Sequence, residues 1–223
     1  MTQDLDSEAE FESKLKKLQE YAESIFADKY RLMLASETHA GYQDTDLSLK
    51  MFTHSSSELE AKPQFLRNIL ERLAPNLGGQ PGMTWKKQAT SPVGSHYNVL
   101  TVEGVLELHA SRLLTTTEQV KKPAYRRYEM LLNPPLFPFK LPEVLDGLRL
   151  SAVIEHLPTR KGLERPKIFR VGFYDQDMLM RIHEIDMLPY YDQISSSRPD
   201  MAAQAPEVIE QLDIPLLGEE DVE

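Results

Sequence analysis

Residues 148–157 read LRLSAVIEHL, and residues 167–174 read KIFRVGFY. In the first run Leu148, Leu150, Ala152 and Ile154 fall at alternate positions. In the second, Phe169, Val171 and Phe173 alternate with Ile168, Arg170 and Gly172. Successive side chains of a strand point to opposite faces, so this period of two predicts two strands, each with an apolar face. The segment between them, Thr159-Arg-Lys-Gly-Leu-Glu-Arg-Pro166, is basic and holds a glycine and a proline. It reads as a hairpin loop, which makes the pair antiparallel. Upstream, residues 97–109 place Leu100, Val102, Leu106 and Leu108 at even spacing around Gly104, where a bulge or a turn is expected. Residues 178–187 fit either a strand or a helix.

Helical signals come before these strands. Ser7-Glu-Ala-Glu10 has the spacing of a capping box. Phe11, Leu15, Leu18, Ala22, Ile25 and Phe26 then recur at mostly three- and four-residue steps, which predicts one amphipathic helix to about Ala35. Residues 36–62 are polar and poorly periodic, with a short strand expected within 46–52. Residues 63–73 read as a second helix that buries Phe65, Leu66, Ile69, Leu70 and Leu73. Pro75-Asn-Leu-Gly-Gly-Gln-Pro81-Gly ends it. Asn133-Pro-Pro-Leu-Phe-Pro-Phe-Lys-Leu-Pro142 reads as a connector, because its four prolines stop helices and interior strands. Residues 195–206 are small, polar and proline-bearing, the composition of a linker. Helices followed by a mainly antiparallel sheet give an α+β fold with a flexible C-terminal tail. The expected division is 1–35 as an N-terminal helix packed on the body, 36–194 as the body, and 195–223 as an acidic tail.

Composition narrows the function classes. The 223 residues are 41% hydrophobic and 27% charged, a balance that supports a buried core. No apolar run is long enough to span a bilayer, and the acidic start MTQDLDSEAEFE is unlike a signal peptide. The chain holds no cysteine, which excludes disulfides, thiolate metal sites and cysteine nucleophiles. A cytoplasmic location and no membrane partner are the expectation. The net charge is −10, yet from Lys86 to Arg170 there are fourteen basic residues and eight acidic ones, leaving about +6. A basic middle between acidic ends suits a nucleic-acid-binding face. Trp85-Lys-Lys87 and Tyr125-Arg-Arg-Tyr128 set aromatic rings beside paired cations, as single-stranded nucleic acid is often held. The candidate nucleic-acid contacts are Trp85, Lys86, Lys87, Lys121, Lys122, Arg126, Arg127, Arg160 and Lys161.

Signals for catalysis are weaker. Asp175, Asp177, Glu184 and Asp186, with His183, form the densest polar cluster, and a metal-dependent nuclease would need two or three such carboxylates converging on Mg²⁺. On a strand, however, Glu184 and Asp186 share one face while His183 points away, and Asp175 with Asp177 more simply makes a turn. His54-Ser-Ser-Ser57 lacks a nucleophile elbow, and Gly78-Gly79 is followed by no Gly-Lys-Ser/Thr. No cofactor and no metal are expected, and no catalytic residue is assigned.

The tail carries a sharper signal. Within it stands Gln211-Leu-Asp-Ile-Pro-Leu216, an apolar insert among acidic residues. This hexapeptide resembles the bacterial sliding-clamp-binding peptide, whose usual form is Gln-Leu-Ser/Asp-Leu-Pro-Leu. Five of the six positions match, and Ile214 stands for Leu. The resemblance covers these residues alone. It implies that Gln211 hydrogen-bonds at one subsite, that Ile214 and Leu216 fill an apolar one, and that Leu212 supports them, with Asp213 and Pro215 completing the motif. The function expected is an accessory protein of DNA replication, repair or recombination, from a bacterium, phage or mobile element. It would dock on the sliding clamp by its tail, with a basic body that handles DNA. The alternatives are a non-enzymatic adaptor, such as a phage assembly component, and a nuclease using Asp175, Asp177 and Glu184.

Overall fold

The structure is a computed structural model. It describes residues 2–51, 69, 71–89, 96–113, 120, 130, 132–134, 144–159, 165–176 and 180–197, with backbone alone for 2–9 and 112. The clamp-like hexapeptide, the connector residues 135–142 and the predicted helical residues before Ile69 lie outside this set.

The fold is α+β. Two N-terminal helices, α1 (Thr2–Ile25) and α2 (Asp28–Lys50), replace the single helix to Ala35 that the sequence suggested. The chain breaks at Ala27, which is extended at φ −62° and ψ 162°. Arg31 holds the break, its Nε donating to the Phe26 carbonyl at 2.5 Å and its Nη2 to that of Glu23 at 3.2 Å. Helix α2 then runs through the stretch expected to be irregular and through the strand expected within 46–52. Its buried stripe is Tyr30, Leu34, Thr38, Tyr42, Thr45 and Leu49, spaced by threes and fours, with His39 beside it. Two members are threonines whose hydroxyls donate back to carbonyls four residues earlier, Thr38 to Leu34 and Thr45 to Gly41, each at 2.8 Å. Polar side chains that satisfy themselves can sit in a core, and they hide the helical period from a count of apolar residues.

A third helical segment, α3 (71–77), sends Leu73, Ala74 and Leu77 into the core. Six strands follow, β1 (Met83–Ala89), β2 (His96–Val102), β3 (Leu106–Arg112), β4 (Leu150–Pro158), β5 (Pro166–Tyr174) and β6 (Arg181–Asp186), and then α4 (Leu188–Ser197). They form one sheet in sequence order. All neighbours are antiparallel except β3 and β4. Gly104 marks a turn, not a bulge. It joins β2 to β3 with Glu103 and Gly104 both at positive φ, 49° and 72°. Of the stretch expected to be ambiguous, Arg181–Asp186 form β6, and α4 carries helix past Ile194 to Ser197.

One sheet face meets the helices. Leu100, Leu108, Ala152 and Phe173 lie in register across it, as do Ala110, Ile154, Val171 and Ile185. They pack on Leu18, Ala22, Phe26, Tyr30, Leu34, Leu73 and Tyr191 from the helices. The opposite face is covered in part by the long β3–β4 crossover, since a parallel pair cannot be closed by a tight turn. Leu113, Val120 and Met130 from that crossover pack on Val153, Leu157 and Tyr174. Strand β4 is therefore buried on both faces, all nine residues of it.

Candidate functional site

Of the predicted nucleic-acid contacts, the structure describes Trp85, Lys86 and Lys87. All three lie on the edge strand β1, where every residue after Met83 is exposed. Lys121, Lys122, Arg126, Arg127, Arg160 and Lys161 lie outside the described residues. Strand β1 pairs with β2 along its whole length, from Met83 opposite Val102 to Ala89 opposite His96. Strand β2 pairs with β3 only from Val99 to Val102. Among the described residues, Lys87–Ala89 and His96–Asn98 thus pair only with each other, as a two-stranded ribbon leaving the sheet, and Trp85 stands at its base opposite Leu100.

Alternation along β1 divides its side chains. Trp85 and Lys87 share the helix-side face with Met83, while Lys86 faces the back. The Trp85 indole lies against Gly78, just after α3, where a side chain would collide with it. It remains 43% exposed, enough to present an aromatic face to a ligand. Asn98 opposite Lys87 donates to the Glu71 carbonyl at 2.6 Å and ties the ribbon to α3. Lys87 makes no ion pair among the described residues.

The back face gathers charge in a different way. Glu107 is buried and receives Lys86 Nζ at 2.9 Å and Arg149 Nη2 at 2.6 Å. Glu155 is fully buried and receives Arg170 Nε at 2.7 Å, Arg181 Nη2 at 3.2 Å and the Tyr174 hydroxyl. Both arginines also meet Glu184. A Cβ on Gly172 would occupy the place of the Glu155 carboxylate, so this glycine makes the room. Burial, and then the Glu155 charge, push the Tyr174 phenol up to about 12. Burial alone would lower Arg181, but its hydrogen bond to Tyr174 and the charges of Glu155, Tyr174 and Glu184 hold it above its ordinary value.

No family model matches this chain, and no curated protein or solved structure matches it either.

The carboxylates of the nuclease alternative have other work. Asp175 makes the β5–β6 turn, its amide donating to the Met180 carbonyl and its Oδ1 accepting from the Met180 amide, each at 3.0 Å. Glu184 is held by the two arginines, and Asp177 lies outside the described residues. His183 stands on the opposite face from Glu184, against Phe173, and meets Glu23 of α1 at 2.9 Å. Among the described residues no three histidine, aspartate or glutamate side chains gather to hold a metal ion. A cavity lined by Leu18, Gln19, Asn133 and His183 measures about 10 Å³, which suits a single water and not a substrate.

Among the described residues, four cations of the basic middle are paired internally. Lys86 and Arg149 serve Glu107, Arg170 serves Glu155, and Arg165 makes a two-point pair with Asp192 at 2.7 and 2.6 Å. Among the described residues, the exposed edge strand β1 and the ribbon it enters stay available for a partner. Sequence reading named Trp85, Lys86 and Lys87, of which the structure turns Lys86 to the back face, and it did not name Arg149, which comes from the end of the crossover to meet Glu107 there. A usable signal was present, since residues 83–102 contain no aspartate or glutamate in a chain of net charge −10.

Proposed function

We propose that this chain is an accessory protein of DNA replication, repair or recombination in a bacterium, phage or mobile element. It docks on the sliding clamp through Gln211, Leu212, Asp213, Ile214, Pro215 and Leu216, and its body handles DNA. The observation that carries this reading is the hexapeptide itself, matching the clamp-binding form at five of six positions. Its placement supports the reading. The last described helix ends at Ser197, and residues 198–210 separate it from Gln211. A flexible linker of that length would span roughly 20 Å.

The energetics suit a docking peptide. Burying Leu212, Ile214 and Leu216 in a partner pocket contributes roughly 1.5–3 kcal/mol each, before the cost of ordering the segment. A net of about −8 kcal/mol, micromolar affinity, is the expected balance. Pro215 reduces the ordering cost by restricting the free peptide. The test is fluorescence polarisation of a labelled peptide of residues 207–223 against a bacterial sliding clamp, with unlabelled full chain as competitor. Micromolar binding, abolished by Gln211→Ala with Leu216→Ala in peptide and chain alike, is expected. Absence of binding at high clamp concentration would remove the reading.

A further inference from the structure

We propose that the β1–β2 ribbon and its base bind a single-stranded polynucleotide, with Trp85 at the base as the stacking platform and Lys87 on the ribbon as the phosphate contact. This rests on the DNA-handling part of the proposed function, and not on clamp docking.

Three observations converge on the ribbon. First, Trp85 is exposed but not loose. Its indole is seated on Gly78 and its strand is fixed by seven pairs to β2 and by the Asn98–Glu71 bond. A platform held in place before binding loses little freedom when a base stacks on it. Second, Lys87 lies on the same face, two residues or about 7 Å along the strand, and His96, exposed opposite Ala89, shares that face. Ring, cation and imidazole in a row match the alternation of base and phosphate on a single strand. Third, residues 83–102 carry Lys86 and Lys87 and no acid, in a chain whose net charge is −10. Lys86 is paired with Glu107 on the back face, where Arg149 leaves that group at one net positive charge, and Lys87 is the cation on the Trp85 face. The cationic surface is therefore local, and its complement is a polyanion.

The single strand follows from the indole. Bases inside a duplex are stacked on one another and have no free face to offer Trp85. A single strand does, and stacking on an aromatic side chain tolerates any base.

Trp85 is the only tryptophan in the chain, so intrinsic fluorescence reads this site directly. The full chain is titrated with an oligothymidylate of about 15 nucleotides, the upper size of one such binding face, and with the matching oligouridylate and a duplex. Oligothymidylate is expected to quench Trp85, with affinity falling as salt rises. Trp85→Ala, followed by polarisation of labelled oligonucleotide, should weaken binding roughly 5- to 150-fold, the range of one stacking contact. Trp85→Phe should restore part of that loss, which separates stacking from a folding defect. Lys87→Gln, at an exposed position, should retain the quenching and reduce the slope of log affinity against log salt by about 0.7. Equal quenching by oligouridylate assigns recognition to base faces and phosphates, weaker quenching assigns part of it to the sugar, and both retain the proposal. Binding with no change in Trp85 fluorescence would overturn it, as would equal binding of the duplex. No binding would overturn it too, as would quenching by an added 207–223 peptide but not by oligonucleotide, which makes the ribbon a peptide-docking edge. Gln211→Ala with Leu216→Ala leaves the quenching intact, so failure of clamp docking and failure of the ribbon are read separately.

Discussion

Glu155 sits with no solvent exposure between Arg170, Arg181 and the hydroxyl of Tyr174. A carboxylate taken out of water costs several kcal/mol, and this one is tolerated because Oε1 accepts from Tyr174 and Oε2 from both arginines. Tyr174 is the member that titrates within reach. Its phenol is held at about 12 against an ordinary value near 10, so the protonated donor is favoured in the folded chain. The sign follows. This stabilisation is fully present below pH 10 and is lost as pH rises from 10 through 12, where a tyrosinate would face the Glu155 carboxylate. The size is roughly 2–3 kcal/mol, at about 1.4 kcal/mol for each tenfold change in the equilibrium. Burial raises Tyr191 as well, so part of the alkaline loss belongs to it. Urea unfolding of the native chain should therefore show stability falling across this window. Tyr174→Phe should start lower at pH 8 and fall less steeply. Parallel pH curves for the two proteins would refute the assignment.

Asn133 does for an element what Tyr174 does for a residue. It lies in the crossover between β3 and β4, and its side chain reads three backbone groups of the sheet. Nδ2 donates to the Ser151 carbonyl at 2.8 Å and to the Tyr174 carbonyl at 2.6 Å, and Oδ1 accepts from the Ser151 amide at 2.7 Å. The crossover is thereby fixed to β4 and β5 at one point. Asn133→Ala leaves these buried groups unpaired, and a loss of roughly 2–4 kcal/mol is expected. Hydrogen exchange at the Ser151 amide should accelerate well beyond what the global loss explains, and an unchanged exchange rate there would count against the strap. The same scale shows what sequence could and could not reveal. Strands β2, β3 and β5 were legible because Leu100, Val102, Leu106, Leu108, Phe169, Val171 and Phe173 alternate against one helical layer, and β4 because Leu150, Ala152 and Ile154 do the same although its other face is also buried. Strand β1 was not, because an edge strand with six exposed residues has no buried face to write a pattern. Helix α2 was hidden by Thr38, His39 and Thr45 in its buried stripe. At the site, the local pairing of Trp85 with two lysines was visible in the chain, whereas the meeting of Arg149, Lys86 and Glu107 is a product of topology.

At the scale of the whole molecule, charge is divided unevenly. Residues 207–223 carry seven acidic residues and no basic one, so removing them takes the chain from −10 to −3. The described core runs from Leu18 to Tyr191. Truncation after Pro206 should then leave the unfolding transition where it is, while the proposed clamp docking is abolished. It should also quicken association of a single strand with the ribbon, because a polyanion approaching a less negative body meets a lower electrostatic barrier. That gain should be clear at low salt, where the screening length is about 30 Å at 0.01 M, and should vanish near 1 M, where it is about 3 Å. Stopped-flow quenching of Trp85 by oligothymidylate, with and without the tail, measures it. A drop in thermal stability on truncation would mean that the tail packs on the body. An acceleration that survives high salt would mean that the tail occupies the ribbon by contact and not merely by its field.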